Sequence, residues 1–178
     1  MALLEPTASR PGFGPGYGIS AEPEGMLPWA WADERLRASR NYWVGSTRPD
    51  GSPHAAPVWG LWLGDGVYFG TSPSSSKGRN LAGDRRCVVH LESGDEVVII
   101  EGEVEEVALD ERLADAYEAK YDYRPDPAAS EGPGWYRLRP WIAYAWTERE
   151  FPRSATRFAF SDGKGAGEED RPGAAAPS

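Results

Sequence analysis

From Asn41 onward apolar and polar residues alternate with a period of two, the pattern of strands that bury one face. Tyr42 to Thr47 makes a first strand. Pro49-Asp50-Gly51 turns the chain, with proline fixing φ and glycine accepting a positive φ. His54 to Leu63 is the second strand, and Gly64-Asp65-Gly66 returns the chain into a third, Val67 to Thr71. Pro57 interrupts the second strand. Proline donates nothing to a ladder, so it belongs at an edge, a bulge or a place where pairing is broken and backbone groups are free for a ligand. Cys87 to Leu91 is a fourth strand and Glu96 to Val107 a long fifth. In the fifth, Val98, Ile100, Gly102 and Val104 share one side, and Glu101, Glu103 and Glu105 share the other. Like charges at that spacing describe a wet sheet face, not a catalytic carboxylate cluster.

Two stretches change to the helical period. Pro28 suits a first helical position, and Trp29 to Ser39 places Trp29, Ala32 and Leu36 on one side. Asp110 caps a second helix running to about Tyr121, with Leu113, Ala116, Tyr117 and Tyr121 as its apolar stripe, so both tyrosines read as packing residues. Tyr123 to Pro133 reads as a surface loop. Trp135 to Leu138 and Trp141 to Thr147 read as two short strands separated by Pro140, and Thr156 to Phe160 as a closing strand. Residues 1–25, dense in glycine and proline, predict a flexible arm without regular structure, suited to drape over a partner subunit. Residues 161–178 predict a disordered tail, which leaves one folded domain over residues 26–160. The fold class is mainly β (α+β): six antiparallel strands in a closed or nearly closed barrel with a few peripheral helices. So small a barrel fills its interior with side chains. A ligand must then sit outside it, most naturally at a subunit junction.

Composition narrows the function. The chain has 178 residues, 40% of them hydrophobic, enough for one domain with a real core. Its formal net charge of −9 argues against nucleic acid, which needs an extended basic face. The longest aliphatic run, Val97 to Ile100, is far too short to span a membrane, and the N-terminal residues lack the basic-then-apolar order of a secretory signal. One cysteine, Cys87, excludes an intramolecular disulfide and reads as a buried structural thiol. His54 and His90 lie far apart in sequence and a lone cysteine excludes any multi-cysteine site, so no metal is expected. The expected setting is cytoplasmic.

Against this acidic background, Lys77, Arg79, Arg85 and Arg86 stand within ten residues of one another with one acid, Asp84, among them. They follow a hydroxyl-rich turn, Thr71-Ser72-Pro73-Ser74-Ser75-Ser76, directly after a strand. A serine there can cap a short helix over Lys77 to Ala82. The free N–H groups and positive dipole end of that helix would receive a phosphate, with Lys77 and Arg79 adding charge-assisted contacts. The same residues also suit a plain helix cap with solvated cations, and the stretch alone leaves both readings open.

Taken in order, Tyr42 to Trp59, Val67 to Thr71 and Ser76-Lys77-Gly78-Arg79-Asn80-Leu81 resemble the pyridoxamine 5′-phosphate oxidase-like split-barrel family, and within it the actinobacterial F420-dependent flavin/deazaflavin oxidoreductases of the B type. Val98 to Glu103, Ala116 to Tyr121 and Trp141 to Phe160 fit the same likeness, which covers about Leu27 to Phe160. The resemblance implies a six-stranded split barrel that forms a homodimer, with a cofactor in each of two grooves between subunits. His54 would face that groove, and the backbone around Pro57, Val58 and Trp59 would line the cofactor ring. Thr71 and Ser72 would approach its side chain, and Ser76, Lys77, Arg79 and Asn80 would hold its phosphate. The cofactor implied is F420, with FMN as the alternative. F420 continues through a phosphodiester into a glutamate tail, for which Arg85 and Arg86 offer further cations. The chain lacks the arginine and histidine positions near the C-terminus that bind pyridoxal phosphate in the oxidase proper, which argues against vitamin B6 oxidation.

The implied reaction is hydride transfer from reduced cofactor to a small conjugated acceptor such as an enone, quinone, nitro compound or tetrapyrrole-like molecule. Water, His54 or a tyrosine could supply the accompanying proton. Trp59, Trp62, Trp135 and Trp141 are candidates for an aromatic substrate wall, though each also suits core or dimer packing. The rivals are an FMN-dependent oxidoreductase and a non-catalytic protein of the same fold that binds a cofactor or ligand.

Overall fold

The alternation seen in the sequence becomes the wall of a barrel. The computed structural model describes residues 4–128 and 132–161. Its strands are β1 (Thr7–Ser9), β2 (Asn41–Thr47), β3 (Pro53–Trp62), β4 (Val67–Thr71), β5 (Arg86–His90), β6 (Glu96–Val107), β7 (Gly134–Thr147) and β8 (Thr156–Ala159). Its helices are α1 (Trp29–Ala38), α2 (Ser76–Gly83), α3 (Glu111–Tyr121) and the one-turn α4 (Phe151–Ser154). Antiparallel pairing runs from β7 through β4, β3, β2, β5 and β6 and back to β7, so six strands close the barrel, as the period-two pattern predicts. β8 and β1 continue outward from β7.

The interior is filled. Tyr42, Val44, Phe69, Val89, Val98, Ile100 and Leu138 meet in one core and are at most 1% exposed. Burying each such side chain contributes about 1.5–3 kcal/mol. α1 closes one end with Ala32 and Leu36, both at most 1% exposed. Trp29 wedges edge-on between Phe158 and Phe160, with centroids 5.1 and 5.2 Å away. A second cluster lies outside the wall, where Leu113, Tyr117 and Tyr121 of α3 cover Leu61, Tyr68 and Trp135. No helix among the described residues is long and apolar enough to cross a membrane.

Three details depart from the sequence reading. The two short strands expected on either side of Pro140 are one 14-residue strand, β7. Pro140 stands where the neighbour of β7 changes: β4 pairs with it up to Leu138 and β8 pairs from Ile142 onward. The missing N–H therefore falls in the gap between two partners. On the other side Pro140 faces Gly102 at a register shift, and a Cβ on Gly102 would stand 2.1 Å from the Arg139 carbonyl oxygen. Glycine is what lets β6 pass the bend.

The second departure is the N-terminal arm, which does contribute regular structure. β1 pairs with β8, and Arg10 donates to the carbonyls of Glu22, Glu24, Arg153 and Ala155. The arm lies on its own barrel. Third, the glutamate face is only partly wet. Glu103 is exposed, but Glu105 pairs with Arg137 at 2.5 Å and Glu101 lines a groove. The predicted tail lies outside the described residues, save Ser161.

The barrel is split along β3. Its C-terminal end, Gly60 to Trp62, pairs with β4, whereas Pro53 to Trp59 pairs only with β2. Pro57 thus sits on a strand edge, one of the settings its residue type requires.

Candidate cofactor site

The hydroxyl-rich turn after β4 folds back onto the helix it precedes. Ser75 is the N-cap of α2, its Oγ accepting from the Gly78 N–H at 3.0 Å, while the Thr71 and Ser75 hydroxyls stand 3.0 Å apart. The turn and helix touch so closely that a Cβ on Gly78 would lie 2.3 Å from the Ser72 carbonyl oxygen and 2.9 Å from the Pro73 Cα. This contact fixes the direction of the helix N-terminus. Ser76 opens the helix and is exposed, and Ser72 is exposed with its hydroxyl bonded to that of Ser74 at 2.8 Å.

The cations of this segment separate into two kinds. Arg79 is exposed and donates to the Ser74 carbonyl, and Arg86 is exposed and forks onto Asp84, the shortest contact being 2.7 Å. Lys77 is different. It is only 8% exposed and has no hydrogen bond or ion pair among the described residues, and burial holds its ammonium pKa below the usual lysine range. A partly desolvated cation of this kind gains when a ligand supplies the anion.

Lys77 shares its helix face with Asn80 and Leu81, three and four residues on, and both are buried. The Asn80 amide reaches across to β2 and donates to the Ser46 hydroxyl at 3.1 Å. Ser46 is opposite His54 in the β2–β3 register. His54 Nδ1 is itself buried and without a hydrogen-bond partner. The structure therefore links the face of α2 that carries Lys77, the inner end of β2 and the split edge of β3. That edge leads from His54 to Trp59, about 17 Å at strand rise.

Ser46, Thr47, Pro53, His54 and Ala55 also border a groove of about 1000 Å³ on the outside of the barrel, with Val88, Glu101, Trp141, Ile142 and Tyr144 across from them. Cys87 reaches its floor but is 6% exposed, and burial pushes its thiol pKa up to about 12, so it is a packing residue. Among the described residues no three His, Cys, Asp or Glu side chains converge as metal ligands.

Of the residues singled out in sequence, Thr71, Ser72, Ser76, Lys77 and Arg79 cluster around the start of α2. Asn80 belongs to the same helix, and one N–H of its amide is donated to Ser46. His54, Pro57, Val58 and Trp59 lie on the part of β3 that pairs only with β2. Ser46 escaped the sequence reading. Its signal was there: a polar side chain at the inward position that continues Tyr42 and Val44. Of the candidate wall tryptophans, Trp62 is buried and donates to Asp33 at 2.7 Å, Trp135 is buried under α3, Trp141 lines the groove and Trp59 is exposed. Tyr42 and Tyr121 are fixed through their hydroxyls, to the Leu36 carbonyl and to Gly60.

Comparison with known proteins agrees with this architecture. The family profile described as pyridoxamine 5′-phosphate oxidase matches residues 30–147. A conserved hypothetical protein of Mycobacterium tuberculosis superposes with a TM-score of 0.60 at 22% identity, over 71% of this chain and 88% of that one. A structure named F420 reductase superposes with a TM-score of 0.51 at 20% identity, over 67% and 95%. An FMN-binding protein related to pyridoxamine 5′-phosphate oxidase, from Nostoc punctiforme, does so with a TM-score of 0.51 at 13% identity, over 75% and 97%. At these identities the likeness is one of fold. No curated protein matches the chain significantly. With two thirds of its length under the family profile and the split barrel in place, the chain belongs to the pyridoxamine 5′-phosphate oxidase family.

Proposed function

We propose that this protein is an F420-dependent reductase that binds its cofactor along the split edge of β3 and across the start of α2. The observation that carries the reading is Lys77, a largely buried side chain at the start of α2 with no ion pair or hydrogen bond among the described residues, an arrangement that a phosphate would complete. Lys77, Ser76 and Arg79 hold that phosphate. Thr71 and Ser72 flank the chain leading from it, and the Pro57, Val58 and Trp59 backbone lies along the ring. Asn80 acts one step back, tying α2 to Ser46. When bound, the reduced cofactor supplies a hydride to a conjugated acceptor. His54, whose buried Nδ1 lacks a partner, is placed to orient the ring or to hold the proton that accompanies reduction. The groove beside His54 is closed by a second copy of the chain in a homodimer.

FMN is the second reading, favoured by one observation. Arg86 is already engaged by Asp84, which leaves fewer free cations for the diester and glutamate tail of F420 than for the monoester of FMN. Titrating purified protein separately with F420 and FMN, followed by tryptophan quenching, decides between them. Tight F420 binding with oxidation of its reduced form by enones, quinones or nitro compounds is the expected result. Binding of FMN alone reverses the order, and F420 binding without turnover assigns a non-catalytic carrier.

A further inference from the structure

Next to the split, the aromatic side chains form a surface that the proposed cofactor contacts leave unused. Trp59 is 42% exposed, and one face of its indole lies on Tyr121, with the rings parallel within 7° and the centroids 4.8 Å apart. Tyr121 is anchored: its hydroxyl accepts from the Gly60 N–H at 2.8 Å and lies 2.7 Å from the Gly60 and Arg40 carbonyl oxygens, to either of which it can donate. Tyr117 braces Tyr121 from the side at 4.6 Å, and Trp135 braces Tyr117 edge-on at 5.2 Å. The stack is thus built outward from packed residues and ends in one indole face in solvent.

A cation stands at its rim. The Arg40 guanidinium carbon is 5.5 Å from the Trp59 centroid and 5.6 Å from that of Tyr121. For two parallel rings, a point equally far from both centroids lies over the outer face of neither. The outer indole face is therefore not covered by the arginine. Arg40 is exposed and has no carboxylate partner among the described residues. In a molecule with a formal net charge of −9, an unpaired arginine beside a bare indole marks a local preference for anions.

We propose that the outer face of Trp59 and the Arg40 guanidinium form the acceptor shelf, selecting a planar conjugated molecule that carries a carboxylate. The ring stacks on the indole and the carboxylate pairs with the arginine fork. The location fits a substrate. Trp59 is the last residue of β3 before pairing with β4 begins, so the shelf opens at the fork of the split, at the other end of the free edge from His54. Its role in turnover rests on the reductase reading above, whereas binding to the shelf does not.

The test is calorimetric titration of the cofactor-free full chain with 2-naphthoate and with neutral 2-naphthamide, which share a ring. Wild-type protein should bind the naphthoate about fivefold more tightly, the range of a solvent-exposed ion pair. Arg40→Gln should bring the two ligands within about twofold of each other by weakening the naphthoate alone, and Trp59→Ala should weaken both. Equal wild-type affinities, no binding of either ligand, or a preference that survives Arg40→Gln would overturn the shelf. Titrating the same protein with F420 and FMN separates the two ideas, because loss of cofactor binding sinks the reductase reading while naphthoate selectivity stands on its own.

Discussion

Lys77 is partly desolvated and gains no anion among the described residues. Replacing it should therefore cost the fold little and the ligand much. We expect Lys77→Ala to melt at or above the wild-type temperature and to raise the cofactor Kd at least about tenfold, since a charge-assisted phosphate contact contributes roughly 1.5–3 kcal/mol. Fluorescence titration with parallel thermal melts measures both, and an unchanged Kd would remove this lysine from the site. Lys120 gives a second residue-scale expectation. Its ammonium donates to the Tyr42 hydroxyl and the Gly60 carbonyl, both at 3.0 Å, yet burial lowers its pKa from 10.5 to about 8. Between these values the unfolded chain carries the proton and the folded chain does not, so stability rises with pH across that window. Tyr42, Tyr117 and Tyr121 act oppositely: burial raises their pKa values from 10, so the unfolded chain ionises first and stability falls above about pH 10. The buried Cys87 thiol, raised from 9 to about 12, starts the fall earlier still, so chemical denaturation from pH 7 to 11 should show a maximum near pH 9, and Lys120→Met should reduce the rise below it.

At the scale of elements, what could be read in advance was what neighbours in sequence decide. The serine turn capping α2, the hairpin turns of β2 to β4 and the alternation of β6 are local chemistry, and each appears where the residues placed it. Pro57 marked the split because a proline constrains its own strand. Pro140 misled, because whether a proline ends a strand depends on its neighbours: β4, β8 and Gly102 arrive from elsewhere in the chain to leave it a gap. The candidate site follows the same division. The cluster around α2 was visible, whereas Ser46, brought to Asn80 across 34 residues, and Arg40, brought to the Trp59–Tyr121 stack, come from the fold. Glycine and proline in residues 1–25 signalled absent local order, but order there comes from a distance. Arg10 ties the arm to Arg153 and Ala155, 143 and 145 residues away. Arg10→Met keeps a long side chain while removing those donors. We expect a loss of about 1–2 kcal/mol in unfolding free energy, since each such bond is partly solvated, and faster limited proteolysis between residues 10 and 25. Wild-type proteolysis kinetics would show that the arm is held by other contacts.

For the whole molecule, closure of the six-stranded barrel leaves Pro53 to Trp59 unpaired on the side away from β2, and it fills the interior, so specific binding is left to the outer surface. There the groove of about 1000 Å³ places the apolar Pro53, Ala55, Trp141, Ile142 and Tyr144 beside Arg86 and Glu101. Apolar side chains bordered by charges of both signs suit a protein surface better than a small anion, and a second copy would bring the same apolar and charged groups to meet them. On the proposed reading the cofactor site would depend on assembly, because His54 lies on both the split edge of β3 and the rim of this groove. Sedimentation equilibrium should accordingly give a species of twice the chain mass. Ala55→Glu supplies the decisive variant: the residue is exposed in the single chain, so a charge there leaves the barrel intact, while in a dimer it would desolvate a carboxylate against the partner. We expect this variant to sediment as a monomer, to melt cooperatively near the wild-type temperature and to lose cofactor affinity together with assembly. A wild-type monomer that binds the cofactor at full affinity would show that one chain completes the site alone.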